Sequence, residues 1–376
     1  MRILQVSSAR AFGGGERHVV DLTRGLVARG HEVHIALAPE SPLLDSLHHL
    51  SPQNVHPVAL RNSFDLPGAV CLARLARRIG AEIVHAHVAR DYPLAAYAAG
   101  RARSRLVVTR HVLFPLNRAH RLTLSNVSRV IAVSGAVARA LQSRRIFPPD
   151  KIRVVLNGID VSRFEAAREE FEHERACELN HVAPGDVRTP LRVGTVGTLV
   201  ENKGHDTFLR AAALAASRGS SATEFLIVGD EGSRGGEYRR RLERLIAELN
   251  LGEHVRLHAR WEETTRVLPT LDIFVSASRS EAFGLAMAEA LACGVPVVAT
   301  ATDGALEIIS DGTGGLIVPI DDHQALAAAL VSLLEDDGLR AAFSARARES
   351  ARRRFSHERM VVETEGVYLE ALSDGR

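Results

Sequence analysis

Lys203 is one of only two lysines among 47 basic residues, the other being Lys151. In a chain this biased toward arginine, a retained lysine marks a place where a compact ammonium is required. It lies in residues 197–206, a loop that leads from a β-branched run into a helical pattern. The positive end of a helix dipole disfavours a cation there. An anionic ligand shared between the ammonium and unpaired helix-start amides explains the residue better than an exposed surface lysine does. Residues 276–298 form a second candidate. Glu281 and Glu289 are the only acids between Asp272 and Asp303. Glu289 falls inside an Ala/Leu/Met helix, where an unpartnered buried charge is costly. A carboxylate only accepts hydrogen bonds, so ligand hydroxyls suit it. Gly284 and Leu285 open that helix and supply backbone donors for an anion. Residues 7–16 form a third, with Gly13, Gly14 and Gly15 allowing backbone to approach a ligand closely. A dinucleotide fingerprint is not met, because His18 stands where the third glycine belongs.

These loops need strands and helices to hold them. Strand patterns are expected at 2–6, 32–37, 83–87, 106–109, 129–133 and 153–156, and again at 191–196, 224–228, 255–258, 273–276, 295–299 and 315–318. Helical patterns lie between, as at 17–29 and 67–79. Strand–helix alternation implies an α/β fold with two doubly wound parallel sheets. Ligands in such sheets sit beyond the carboxyl ends of the strands. The expected division is 1–165, 166–355 and a closing helix at 356–376, with Ser356 as its N-cap and with the helix packing back toward the first domain.

Length and composition agree. At 376 residues the chain exceeds the roughly 250–300 at which single cores stop growing. No apolar run approaches the ~18 residues that span a membrane, and the N-terminus reads as a strand rather than a signal peptide. Cys71, Cys177 and Cys293 are odd in number, far apart and without metal-ligand spacing. Together these point to a cytoplasmic protein. The net charge of +2 conceals +12 in residues 1–165 and −10 in residues 166–376. The first part therefore faces something anionic, either a membrane surface or a phosphorylated acceptor, or it is a solvated basic face with no partner. Aromatics interleaved with arginine are lacking, which argues against nucleic acid.

In order and spacing, Gly13-Gly14-Gly15-Glu16-Arg17-His18, Gly30-His31-Glu32-Val33, Asn157-Gly158-Ile159-Asp160, Lys203-Gly204, the Glu281/Glu289 pair and Gly294-Val295-Pro296-Val297-Val298 resemble the retaining glycosyltransferases of family four. The resemblance covers nearly the whole chain. It implies the GT-B fold, two Rossmann-like domains facing a central cleft: an N-terminal acceptor domain and a C-terminal domain for a nucleotide-sugar donor. It implies that Lys203, Gly284, Leu285, Gly14 and Gly15 hold the donor diphosphate, that Glu289 takes the ribose hydroxyls and that Glu281 contacts the sugar. His111 matches the family's histidine beside the transferred sugar, whereas His85 and His87 read as structural. Arg260 and Trp261 would lie near the base. The activity implied is sugar transfer, with retention and without a metal or other cofactor, to a glycan or lipid-linked acceptor, as in polysaccharide or lipopolysaccharide synthesis. Peripheral attachment at the inner face of a membrane follows as an expectation.

One departure stands out. The family's arginine five positions before the lysine is Thr198 here. Arg279, Arg17 or Arg10 is expected to supply the second cation for a diphosphate. A sugar-nucleotide epimerase and a non-catalytic sugar-nucleotide-binding protein are the alternatives; a dehydrogenase is disfavoured by His18.

Overall fold

The structure, a computed structural model, describes residues 1–117, 120–179, 190–218, 223–231, 235–259, 263–309 and 314–374. It divides into two compact units, Met1–Gly158 with His357–Arg376, and Ile159–Ser356.

The first unit is built on seven strands: β1 (Arg2–Ser7), β2 (Glu32–Leu37), β3 (Val55–Pro57), β4 (Ile83–Ala86), β5 (Arg105–Arg110), β6 (Val127–Ala132) and β7 (Ile152–Val154). All pair in parallel, in the order β3-β2-β1-β4-β5-β6-β7. β1 is buried along its length after Arg2, as a parallel strand covered on both faces must be. β3 has no counterpart in the sequence reading. Three residues carry no periodicity, and Pro57 removes a donor that only an edge position tolerates. Crossover helices begin where local chemistry satisfies their first amides: Asp65 accepts from the Gly68 amide and Ser134 from that of Val137. Helix Gly14–Ala28 packs so closely on the last helix, His357–Ser373, that a Cβ on Gly25 would lie 2.3 Å from Val361 Cγ2. Met360, Val361, Val367, Tyr368 and Ala371 from that helix share one core with Leu22, Leu26 and Ile35.

The second unit carries β8 (Leu191–Val196), β9 (Thr223–Val228), β10 (Val255–His258), β11 (Ile273–Ser276), β12 (Val297–Thr300) and β13 (Gly315–Val318) in the order β10-β9-β8-β11-β12-β13, again all parallel. The ladder of β12 starts at Val297, after the Gly294 turn at φ +70° and the donor-less Pro296. Phe208, Phe225, Ile273, Leu326 and Leu330 anchor its core.

In each sheet the strand order reverses direction beside the unit's first strand, at β1/β4 and at β8/β11. The crevice at such a switch point is where open α/β sheets place ligands. The glycine loop after β1 and the lysine loop after β8 both start there. Among the described residues no helix is long and apolar enough to cross a membrane.

Candidate active site

In the second unit the turn Glu201–Lys203 follows β8 and the loop 277–284 follows β11. Gly204 lets them meet. Its φ is +63°, and a Cβ there would fall 1.9 Å from the Ala277 carbonyl oxygen, so only glycine fits. The Arg279 amide donates to Asn202 O at 2.8 Å, and Asn202 Nδ2 donates to Ser280 O at 2.9 Å. With the loops clamped, Lys203 Nζ reaches Glu281 Oε2 at 2.6 Å. The side chains stay 31% and 16% exposed, so a ligand can still reach them.

Glu281 is fixed from behind by a residue the sequence reading did not single out. The Gly304 amide donates to Glu281 O at 3.0 Å. A Cβ on Gly304 would lie 2.6 Å from Phe283 O and 2.8 Å from Glu281 O. A glycine in the first turn of a helix, two residues after the N-cap Thr302, was the available signal. Gly284 then opens helix Leu285–Ala292 at φ +100°, its own built Cβ 3.2 Å from Glu281 Cγ. The first amides of that helix have no intrahelical acceptor and stand beside the Lys203–Glu281 pair. One turn beyond Leu285, Glu289 is buried, 3% exposed.

Arg279 binds carboxylates. It donates to Asp206 Oδ2 at 2.9 Å, to Asp321 Oδ1 at 2.8 Å and to the Glu201 carbonyl. Burial raises the Asp206 carboxyl, but the bonds from Arg279 outweigh it and hold the group below the usual range. The guanidinium thus ties the lysine turn to the helix His205–Ser217. Thr198 is exposed. Arg260 and Trp261 lie outside the described residues.

In the first unit Gly13 caps helix Gly14–Ala28 in extended conformation. His111, directly after β5, lies over the glycine loop, its Cγ 3.6 Å from a Cβ built on Gly15. Ser8 N and Oγ donate to Asp91 at 2.7 and 2.6 Å, pinning the loop after β1 to the loop after β4. Around His111 stands a histidine network that sequence spacing did not reveal, because its histidines come from three separate segments and their partners from three more. His18 Nδ1 donates to Asn157 Oδ1 at 2.9 Å, and His87 Nε2 to Gln5 Oε1 at 2.7 Å. Gln5 Nε2 donates to Tyr368 Oη at 3.2 Å, and that hydroxyl donates to His85 Nδ1 at 2.7 Å. His85 Nε2 completes the chain at Thr109 Oγ1, 2.6 Å away. Burial pushes the pKa of His18 down to about 4 and those of His85, His87 and His111 well below the ordinary value. Burial thus favours the neutral form of all four rings.

Two family models match in succession. Residues 12–163 match "Glycosyltransferase Family 4" and residues 180–350 match "Glycosyl transferases group 1". The chain belongs to glycosyltransferase family four. This glycosyltransferase is 26% identical to N-acetyl-alpha-D-glucosaminyl L-malate synthase of Bacillus anthracis, over 97% of its own length and 96% of the relative's. It is 28% identical to D-inositol 3-phosphate glycosyltransferase of Salinispora arenicola, over 96% and 88%. Its fold is that of Anabaena HepE, solved in complex with UDP-glucose, with a TM-score of 0.81, 22% identity and full coverage of both chains. The expected GT-B class, two Rossmann-like parallel-sheet domains, is therefore the fold of this glycosyltransferase.

Proposed function

We propose that the glycosyltransferase moves a sugar from a nucleoside-diphosphate sugar to an acceptor hydroxyl with retention of anomeric configuration. The observation that carries this reading is the Lys203–Glu281 pair at the start of helix Leu285–Ala292. The ammonium and the amides of Gly284 and Leu285 neutralise the diphosphate as it leaves, which fixed donors do without reorganisation at the moment of reaction. Since Lys203 supplies this cation, no divalent metal is required for the step. Glu281, released from Lys203 by the incoming phosphate, accepts hydrogen bonds from the sugar hydroxyls, and Glu289 accepts those of the ribose. By the family resemblance, Gly14 and Gly15 are further donors for the diphosphate and His111 serves the transferred sugar. The acceptor hydroxyl attacks from the side the diphosphate leaves, the C–O bond to phosphate breaks, and the departing phosphate oxygen takes the acceptor's proton.

Arg279 acts as a positioning residue, because its carboxylate bonds hold the turn that carries Lys203. The acceptor carries negative charge. The +12 balance of residues 1–165 favours it, and the two relatives are named for L-malate and inositol 3-phosphate, both anions. A glycan or lipid-linked acceptor bearing phosphate fits the same balance, as does an anionic membrane surface beside it. A thermal-shift screen against uridine, guanosine, adenosine and cytidine diphosphates tests the donor class. One of them should raise the melting temperature in the presence of EDTA, and no shift with any of the four would contradict the reading.

A further inference from the structure

We propose that His18, His87 and His111 form a binding site for a borderline-soft divalent cation of the zinc class. One imidazole nitrogen from each of the three lies within 4.8 Å of the other two. The rings come from helix Gly14–Ala28, from the loop after β4 and from the loop after β5, so no sequence spacing announces them.

Hydrogen bonding fixes which nitrogens are bare. A carboxamide oxygen only accepts, so Asn157 Oδ1 at 2.9 Å places the His18 proton on Nδ1. His18 Nε2 is left as a buried lone pair with no hydrogen-bond partner. Gln5 Oε1 at 2.7 Å in the same way places the His87 proton on Nε2, leaving the Nδ1 lone pair turned to His111. The same orientation aims Gln5 Nε2 at Tyr368 Oη, 3.2 Å away. His111 Nε2 is 3.5 Å from His87 Nδ1, and His111 Nδ1 has no partner. A buried aza nitrogen without a donor is costly, and His18 Nε2 is one.

His18 and His87 show the arrangement of metal-binding histidines: the second ring nitrogen bonded to an oxygen acceptor that sets tautomer and ring orientation. Zinc–imidazole bonds of about 2.0–2.1 Å at the tetrahedral angle put ligand nitrogens about 3.3 Å apart. The His87–His111 pair already stands at 3.5 Å, and His18 needs only to move inward. Three neutral imidazoles with no carboxylate suit Zn²⁺, Co²⁺ or Ni²⁺ and not the oxygen-seeking Mg²⁺ or Ca²⁺. The fourth position is left to water or an anion.

Cation binding takes His111 out of service, so micromolar zinc inhibits sugar transfer; that consequence, unlike the binding itself, rests on the proposed function. The test is titration of the EDTA-stripped full chain, without nucleotide, with Zn²⁺ by calorimetry and with Co²⁺ by visible absorption. One equivalent should bind with micromolar or tighter affinity, and Co²⁺ should give the intense visible bands of a tetrahedral site. His18→Gln and His87→Gln should each weaken binding at least 100-fold. Asn157→Ala should weaken it about 10- to 100-fold through the lost orienting bond. His254→Gln, at an exposed position, should change nothing. Circular dichroism shows whether each variant is folded. Absence of the cobalt bands in the parent, or zinc affinity in folded His18→Gln and His87→Gln equal to that of the parent, overturns the proposal.

Discussion

Lys203 Nζ stands 2.6 Å from Glu281 Oε2 across 78 residues of chain, because Gly204 lets the loop after β8 seat against the loop after β11. The pair is a partly exposed ion pair and contributes on the order of 1 kcal/mol or less to folding. Its removal should therefore show in catalysis and hardly in stability. Lys203→Ala should lower kcat about 10²- to 10³-fold, the usual cost of one preorganised leaving-group donor, with a melting temperature within about 3 °C of the parent. Steady-state kinetics beside a thermal melt checks this, and a variant of near-parent activity would refute the role.

Gly204 is sterically locked. A side chain there meets a backbone carbonyl rather than a flexible neighbour, and its φ of +63° is the left-handed region. Gly204→Ala should destabilise the second unit by about 2 kcal/mol or more and depress activity as well. Gly252→Ala, where nothing lies within 4 Å and φ is ordinary, is the matched control and should be nearly silent. Equal denaturation midpoints for the two variants would contradict the close approach.

Arg279 joins Asp206, Asp321 and the Glu201 carbonyl. Arg279→Gln keeps some hydrogen bonding and loses the charge, so the lysine turn should loosen. The expected result is a rise in donor KM of about tenfold, equivalent to about 1.4 kcal/mol, with a smaller change in kcat. An unchanged KM would remove the positioning role.

His205 is 1% exposed and neither ring nitrogen has a hydrogen-bond partner. Burial lowers its pKa to about 4; Asp206 opposes this, while Lys203 and Arg279 reinforce it. The Tyr238 ring packs edge-on against it. Between pH 6.5 and 4 the unfolded chain binds the proton that the folded chain refuses. Stability from this residue is therefore complete above pH 6.5 and is lost as the pH falls toward 4, by up to about 3 kcal/mol. His205→Phe should lose less stability between pH 7 and pH 5 than the parent, read from the fluorescence of the single tryptophan, Trp261. Identical losses would contradict this.

The two-sheet architecture was legible because short runs of strand-forming residues alternate with helical patterns; β8, β10, β11 and β13 begin and end where their residues indicate. β3 was not, since three residues at an edge leave no periodic trace. Lys203, Glu281 and Gly284 were legible as residue types out of place: a lone lysine, acids among alanines, a glycine at a helix start. Gly304 and the histidine network were not. Gly304 matters for the Cβ it lacks against Phe283, and His18, His87, Gln5 and Asn157 become related only when helix Gly14–Ala28, the neighbouring strands β1 and β4 and the segment after β7 come together.

A crystal structure with the nucleoside diphosphate that gives the largest thermal shift tests the central claim most directly. The expected result is a diphosphate oxygen at about 2.7–2.9 Å from Lys203 Nζ, a second oxygen on the amides of Gly284 and Leu285, and Glu281 turned away from the ammonium. A diphosphate bound elsewhere, with Lys203 still paired to Glu281, would contradict it.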